Sequence, residues 1–415
     1  MKILFISQRF VLPMDAGGKI RTGKILEKLS QQHEITMISN VESPRDDAYL
    51  DQVGSLCSRF VAVPWKEVRR GSFLFFVRLF FQMFSLHPVS ALNTDSRSMR
   101  EAVEREVREH EYDVVLCDFV QSALLLRNVS HPHMVLWQHN VESEIARRHV
   151  EQASNPLTRL FWWLQWRKMF HYERRECRRF DTVIAVSEHD AAEFGRLYGV
   201  DQTVAIPTGV DIDYYSQAEA VKGPPYSLAF CGSMDWLPNE DGMLFFINEA
   251  LPLIDASLPD VEIVIIGRRP SKQLQAIAAE NPRVRLTGWV EDTRPYLNDA
   301  SAVIVPLRIG GGTRMKIFEA MAMGKAVVST TIGAEGLPVE HEREILIADS
   351  PEELAKACVD LLRDVEFTAA IGQRAHDYVV DNFGWAQVAK VFSRACEPGA
   401  TEQSVSLDVQ PAARH

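Results

Sequence analysis

At 415 residues the chain exceeds what one hydrophobic core holds, so two domains are the default. With 46% apolar and 24% charged residues it is globular and not disordered, and a formal net charge of -11 argues against a general nucleic-acid binder. Residues 1–180 hold 26 Lys+Arg against 21 Asp+Glu, a net +5, so the acidity belongs to the second half.

The six cysteines (Cys57, Cys117, Cys177, Cys231, Cys358 and Cys396) share no CxxC spacing. That suits reduced, buried thiols and not a metal site. Met1 to Ser7 is strand-like and runs into Gln8 and Arg9 without a cleavage region, so no signal peptide is expected. No run of about 18 apolar residues is present, which disfavours a membrane span. The expected location is the cytoplasm.

In chain order, Lys2 to Ser7 (KILFIS) is an apolar run typical of a central parallel strand, and it leads through Pro13 into Gly17 and Gly18. A helix starts near Lys19. This strand, glycine loop and helix lack both GxGxxG and a P-loop, which disfavours a dehydrogenase or an NTPase. Glu34 to Ser39 and Phe60 to Pro64 are further strands. Two stretches then mix aromatic and basic residues. The first is 65–88, with Phe73, Phe75, Phe76, Phe80, Phe81 and Phe84 among Lys66, Arg69, Arg70 and Arg78; the second is 157–180, with Trp162, Trp163 and Trp166 before a run of arginines. Such helices either pack their rings into the domain core or lie on an anionic lipid surface, and both readings stay open.

Tyr112 to Asp118 and His133 to Gln138 are buried strands. Ligands of open α/β sheets bind beyond the carboxyl ends of strands, which makes His139 a site candidate as well as a candidate capping residue. Thr182 to Val186 and Val204 onward close the first domain, and the polar, Gly/Pro-bearing run up to Pro225 reads as a linker. The second domain restarts at Ser227 with a strand ending in Gly232 and Ser233. Strands follow at Val261 to Gly267, before Arg268, and at Arg283 to Val290, which contains Gly288 and Trp289.

The stretch VPLRIGGGTRMKIFEAMAMGKAVVST, from Val305, holds the densest signal. A strand meets three glycines, Thr313 is placed to cap a helix, and Gly324 suits its left-handed end. A glycine turn entering a helix presents unpaired amides to an anion, and Arg314 and Lys316 add two cations there. Glu319, six residues past Thr313, lies roughly 9 Å further along the axis. That is close to the distance from a diphosphate to a ribose diol, and a carboxylate is an acceptor-only group suited to two hydroxyls. A Lys316–Glu319 surface ion pair is the plainer alternative. Past Pro338 the pattern is helical: 351–363, 365–383 and 385–396.

This motif resembles the C-terminal signature of retaining GT-B glycosyltransferases, family 4 (group 1) in particular, of the bacterial surface-polysaccharide type. The resemblance runs from Lys2 to Cys396 and implies an α/β GT-B fold, with two Rossmann-like doubly wound domains facing across a cleft. It implies an acceptor-side domain at 1–207, a linker at 208–225, a nucleotide-sugar domain at 226–383 and a helix at 384–397 crossing back to the first domain; the tail at 398–415, polar and without periodicity, reads as disordered. The family usually has a second glutamate eight positions before Glu319, where this chain has Gly311. It also has an Arg where Ser233 stands, and a Lys where Asn239, Glu240 and Asp241 stand.

The resemblance assigns catalysis to His139, Arg314 and Lys316. Donor binding falls to Gly17, Gly18, Gly232, Ser233, Arg268, Gly311, Gly312, Thr313 and Glu319. The expected activity is hexosyl transfer from a nucleotide-sugar (UDP- or GDP-sugar) to a glycan or lipid-linked acceptor, retaining configuration, with no bound cofactor and no metal. The alternatives are a GT-B sugar-nucleotide epimerase and a catalytically inactive nucleotide-sugar-binding partner of a membrane glycan complex. Peripheral contact with the anionic inner face of the cell membrane through 65–88 and 157–180 is expected, and nucleic acid is not.

Overall fold

The computed structural model describes the whole chain except residues 70, 154, 217–225, 310–314, 401–415 and the side chain of 152. Two compact units are present. One takes in Met1–Pro207 and the stretch from Ala386, the other Thr208–Trp385.

The first unit is built on seven parallel strands: β1 (Lys2–Ser7), β2 (Glu34–Val41), β3 (Arg59–Pro64), β4 (Val114–Asp118), β5 (Met134–Trp137), β6 (Thr182–Ala185) and β7 (Thr203–Ala205). Their order is β3-β2-β1-β4-β5-β6-β7. The run of buried Ile, Leu, Val and Phe in β1, β4 and β5 is what a strand covered on both faces requires. Strand order reverses between β1 and β4, the place where an open doubly wound sheet leaves a crevice at its carboxyl edge. The register there pairs Ser7 with Asp118. Helix α1 (Gly17–Leu29) covers one face, burying Arg21, Thr22, Ile25, Leu26 and Leu29.

The second unit repeats the plan with six strands: β8 (Ser227–Cys231), β9 (Glu262–Ile266), β10 (Val284–Gly288), β11 (Ala302–Val305), β12 (Val327–Ser329) and β13 (Leu346–Ile347). The order is β10-β9-β8-β11-β12-β13, again parallel and again reversing beside its first strand. Gly324 takes the left-handed conformation (φ 69°) after the helix Met315–Ala322. The Phe318 ring of that helix stacks on Phe383 at 4.5 Å.

The helix Trp385–Ala395 packs with the first unit. Its Phe392 meets Trp137 edge-on at 4.6 Å, and Ser393 shares a 2.7 Å hydrogen bond with His33.

Of the two readings of the aromatic stretches, the structure favours exposure for the first. Helix α2 (Phe73–Met83) starts at Ser72, whose hydroxyl accepts from the Phe75 amide, and buries none of its residues. Phe73 is 85% exposed, and Phe76, Phe80, Phe81 and Phe84 are exposed as well. The helix Pro156–Cys177 divides: Leu157, Leu160 and Trp163 are exposed near its start, while Met169, Tyr172 and Cys177 are buried further on. Among the described residues no helix is long and apolar enough to cross a membrane.

A buried carboxylate sets the helix that follows His139. The helix Glu142–Gln152 has Val141 at its N-cap and no capping side chain of its own. Glu173 supplies the missing acceptor, taking the amides of Glu142 (3.0 Å) and Ser143 (2.9 Å) with Gln138 Nε2 (2.9 Å) and the Tyr198 hydroxyl (2.6 Å). Burial pushes the Glu173 carboxyl up to about 7, and burial raises Glu142 beside it too. The folded state therefore holds protons that the unfolded chain releases, so this contribution is full below the unfolded value of 4.5 and is lost as pH rises through about 7. Urea unfolding at a series of pH values should show stability falling across that window, with a flatter slope in Glu173→Gln. An unchanged slope would refute the assignment.

Candidate active site

In the first unit the carboxyl ends of β1, β4 and β5 and the first turns of α1 enclose a buried polar cluster. Asp118, the last residue of β4, accepts from Ser7 Oγ (3.2 Å), Thr22 Oγ1 (3.3 Å) and His139 Nε2 (2.8 Å). His139 Nδ1 faces Arg21 Nη1 at 3.1 Å. A guanidinium only donates and a carboxylate only accepts, so the ring is neutral with its proton on Nε2. Burial, reinforced by Arg21, lowers the His139 pKa against the pull of Asp118. Burial also brings Arg21 down to about 10, with Asp190 and Asp118 opposing it.

His139 is only 2% exposed, because Phe119 lies flat on it, centroids 3.8 Å apart and planes within 10°. Phe119 holds φ 62° and ψ 144°, a conformation a bulky side chain adopts only at a cost of about 1–3 kcal/mol. Gly18 is tied to that ring: a Cβ there would stand 3.0 Å from Phe119 Cζ. Nothing lies within 4 Å of a Cβ on Gly17, so no packing demands glycine at that place.

A cavity of about 430 Å³ opens in the same unit beyond the ends of β1, β2 and β3, a size typical of small-ligand sites. Gln8, Asn40, Tyr49 and Trp65 line it, with Phe75 and Arg78 from α2. Asn40 is buried and its Oδ1 has no hydrogen-bond partner, although its amide nitrogen donates to the carbonyls of Gln8 and Thr94. The Arg45 guanidinium on the wall is paired with Asp46.

In the second unit Gly232, Ser233, Arg268, Lys316 and Glu319 come together around the carboxyl ends of β8 and β9. The register sets Cys231 beside Ile266, so the turns after them touch. A Cβ on Gly267 would run into the Gly232 carbonyl oxygen. A Cβ on Gly232 would lie 2.6 Å from Lys316 Nζ and 2.7 Å from Asn239 Nδ2. The Lys316 ammonium donates to Asn239 Oδ1 (2.8 Å) and stands 4.3 Å from the Phe230 ring centroid. Asn239 Nδ2 donates to the Ser233 carbonyl (2.9 Å), and Arg268 Nε donates to Ser233 Oγ (2.9 Å). Two cations thus converge on one strand-end turn.

Glu319, nearly one turn along from Lys316, is half-buried. Burial raises its pKa, against a hydrogen bond from Tyr215 and the charge of Lys316. Trp289, just past β10, is 72% exposed. Gly311, Gly312, Thr313 and Arg314 lie outside the described residues.

Sequence reasoning passed over Arg21, Thr22, Asp118, Phe119, Asn239 and Tyr215. Asp118 carried a signal, as the single acid closing an apolar strand. Asn239 was noticed only as the absence of a lysine. The others come into place through the fold.

Solved structures of similar fold include sucrose-phosphate synthase from Thermosynechococcus elongatus (TM-score 0.68, 18% identity, 95% of this chain and 97% of that one). Anabaena Alr3699/HepE in complex with UDP-glucose is another (TM-score 0.61, 16% identity, 95% and 98%). The fold is the α/β GT-B fold of two Rossmann-like domains. Residues 22–214 match the model described as Glycosyltransferase Family 4, and residues 225–364 the model described as Glycosyl transferases group 1. Each unit carries the bulk of one match, and the chain belongs to the group 1 and family 4 glycosyltransferases.

Over 405 residues it is 22% identical to an "Uncharacterized 44.6 kDa protein in cps region" of Klebsiella pneumoniae, covering 94% of this chain and 98% of that one. It is also 29% identical over 202 residues to the phosphatidyl-myo-inositol mannosyltransferase of Mycolicibacterium smegmatis, spanning 47% of this chain and about half, 51%, of that relative.

The Gly232 contact has a direct consequence. Gly232→Ala places a methyl group 2.6 Å from the Lys316 ammonium and 2.7 Å from Asn239 Nδ2, and the ends of both side chains can withdraw without unfolding the unit. Thermal unfolding should change little, while calorimetric affinity for UDP or inorganic pyrophosphate should fall about tenfold, or 1.4 kcal/mol. Equal affinity in the variant would show that Lys316 is not at the anion site.

Proposed function

We propose that the protein transfers a hexosyl group from a UDP- or GDP-sugar to a lipid-linked or glycan acceptor, with retention of configuration and without a metal ion. The observation that carries this is the cluster at the carboxyl ends of β8 and β9. There Lys316 and Arg268 meet at one glycine turn, with a half-buried carboxylate, Glu319, further along the Lys316 helix.

In this reading the bond from the anomeric carbon to the diphosphate oxygen breaks and its electron pair stays on the diphosphate. The acceptor hydroxyl oxygen bonds to the same face of that carbon and gives its proton to the departing oxygen. Charge on the leaving group grows as the bond stretches, so cations already in place stabilise the transition state more than the ground state. Lys316 and Arg268 take that task, with the amides of Gly311, Gly312 and Thr313 and the side chain of Arg314 assigned to it from the sequence. Gly232 and Ser233 form the turn under the phosphates, and Glu319 accepts from the ribose diol. In the first unit Gly17 and Gly18 are assigned to donor binding by the resemblance, and His139, buried beneath Phe119 with both ring nitrogens paired, acts only by holding Asp118 and Arg21 in place.

Support for the acceptor comes from the first unit. Helix α2 walls the 430 Å³ cavity with Phe75 and Arg78 while Phe73, Phe76, Phe80 and Phe81 face outward. An apolar surface of that kind marks contact with lipid or protein. One relative is named for phosphatidyl-myo-inositol and another for a cps region, which agree with a lipid or a surface polysaccharide. The protein then works at the inner face of the cell membrane, resting on α2 and the start of the helix Pro156–Cys177.

Two experiments test the reading. In a screen of UDP- and GDP-sugars with EDTA present, one donor should give transfer to an acceptor. Glu319→Ala should weaken nucleotide binding by about 1.5–3 kcal/mol, and Lys316→Met should lower turnover more than binding. Nucleotide binding that survives Glu319→Ala unchanged sinks the donor assignment. For the membrane, the chain should float with phosphatidylglycerol vesicles, and replacing Phe76, Phe80 and Phe81 together by serine should abolish flotation. If the unaltered chain stays at the bottom of the gradient, the surface contact is refuted.

A further inference from the structure

A lysine side chain is a point charge on a flexible four-carbon stem, and a cation that wanders is not in place before charge develops on a leaving group. Lys316, which leaves the helix Met315–Ala322, is restrained by Asn239. That residue lies in the helix Leu237–Phe245, is only 3% exposed, and bonds in two directions. Its Oδ1 accepts from Lys316 Nζ at 2.8 Å, while its Nδ2 donates to the Ser233 carbonyl at 2.9 Å. An ammonium only donates and a carbonyl only accepts, so the amide has one orientation. Both polar ends meet at the Gly232 turn, where a Cβ would stand 2.6 Å from Nζ and 2.7 Å from Nδ2.

The helices that carry the two side chains are themselves fixed. Gly242, nearly one turn beyond Asn239, lets its helix close on the chain leaving β11, since a Cβ there would stand 2.7 Å from the Pro306 carbonyl oxygen. On the other helix Phe318 stacks on Phe383. The charge of residue 239 matters as much as its place. On the same stretch Asp235 pairs with Arg269 (3.0 Å) and Asp241 with Arg308 (2.7 Å), so the carboxylates there close ion pairs. An amide carries no net charge, and Asn239 fixes the Lys316 ammonium while cancelling none of its charge.

We propose that Asn239 is a positioning residue for recognition of the diphosphate: its neutral amide ties the Lys316 ammonium to the Ser233 carbonyl, so that the cation stands at the turn before the ligand arrives. This rests on the reading of Lys316 as a phosphate-binding cation. Charge already in place is worth more than mobile charge, because no ordering remains to be done on binding. A carboxylate at the same position would hold the ammonium more tightly and neutralise it.

The test is calorimetric titration of UDP and of inorganic pyrophosphate against the full-length chain, unaltered and as Lys316→Met, Asn239→Ala, Asn239→Asp and the double variant Asn239→Ala/Lys316→Met. Lys316→Met should weaken both ligands about tenfold, Asn239→Ala about fourfold and Asn239→Asp about tenfold. In the Lys316→Met background Asn239→Ala should cost less than about 1.5-fold, because the amide then has no cation left to place. Near-ultraviolet circular dichroism checks that each variant is folded. Asn239→Asp fills the same volume as the native residue and keeps the test open should the alanine variant unfold.

An equal loss from Asn239→Ala with and without Lys316 overturns the proposal, since it marks a residue that only supports the turn. Binding by Asn239→Asp as tight as that of the unaltered chain overturns it too. If Lys316→Met binds like the unaltered chain, or the unaltered chain binds neither ligand, the reading of Lys316 falls and this inference with it, an outcome distinct from a failure confined to residue 239.

Discussion

The second unit depends on how closely two strand-end turns approach. Parallel strands aim their carbonyl ends at the same edge, so the turns after β8 and β9 would exclude each other if either carried a side chain at the wrong place. Gly267 lies against the Gly232 carbonyl, and Gly232 leaves the volume into which Lys316 and Asn239 converge. Neither glycine has the positive φ that usually explains one, so close approach and not backbone conformation is the reason for both. The ammonium can then rest beside a strand end and an aromatic face with its charge turned toward the turn. Position is what makes Lys316 a candidate for leaving-group stabilisation, since a lysine elsewhere on the surface would be worth little.

The first unit treats charge differently. Arg21, Asp118 and His139 are buried together, each satisfying another, and a buried set of this kind contributes little net stability while being costly to break. Its effect is to fix orientation. The ring of His139 has one tautomer available, and Phe119, bent into a conformation that favours glycine, covers its face. Strain of this sort persists where surrounding packing over-determines it, and here Gly18 and His139 supply that packing.

Much of this was legible from residue order alone. Short apolar runs ending in glycine or a polar residue marked the parallel strands, because a strand buried on both faces cannot carry polar residues mid-run. The turn at Gly232, Arg268 after β9, the Gly324 helix end and the Lys316–Glu319 helix could be placed for the same reason. What could not be read were contacts closed by the fold. Tyr215 and Glu319 lie on different helices far apart in the chain, and nothing in the DIDYYS segment hints at a carboxylate. His139 was legible as a strand-end residue, but its burial under Phe119 depends on a backbone torsion no pattern records. The aromatic stretch 65–88 stayed ambiguous because α2 is apolar on nearly every side, so periodicity had no polar face from which to choose an orientation.

The exposed helix also changes the meaning of the basic residues around it. Arg78 donates to the carbonyls of Leu92 and Asn93, and Lys168 donates to those of Gln82 and Met83, closing the carboxyl end of α2. These cations hold the helix on the domain and are not available to lipid headgroups. Lys66, Arg69, Arg159 and Arg167 remain exposed nearby, so the attraction to an anionic surface is smaller than the sequence suggests. The phenylalanines must then provide most of the binding free energy at such a surface, at roughly 25 cal/mol per Å² of apolar area removed from water. A contact of that origin resists salt, whereas one built on surface cations fades as ionic strength rises.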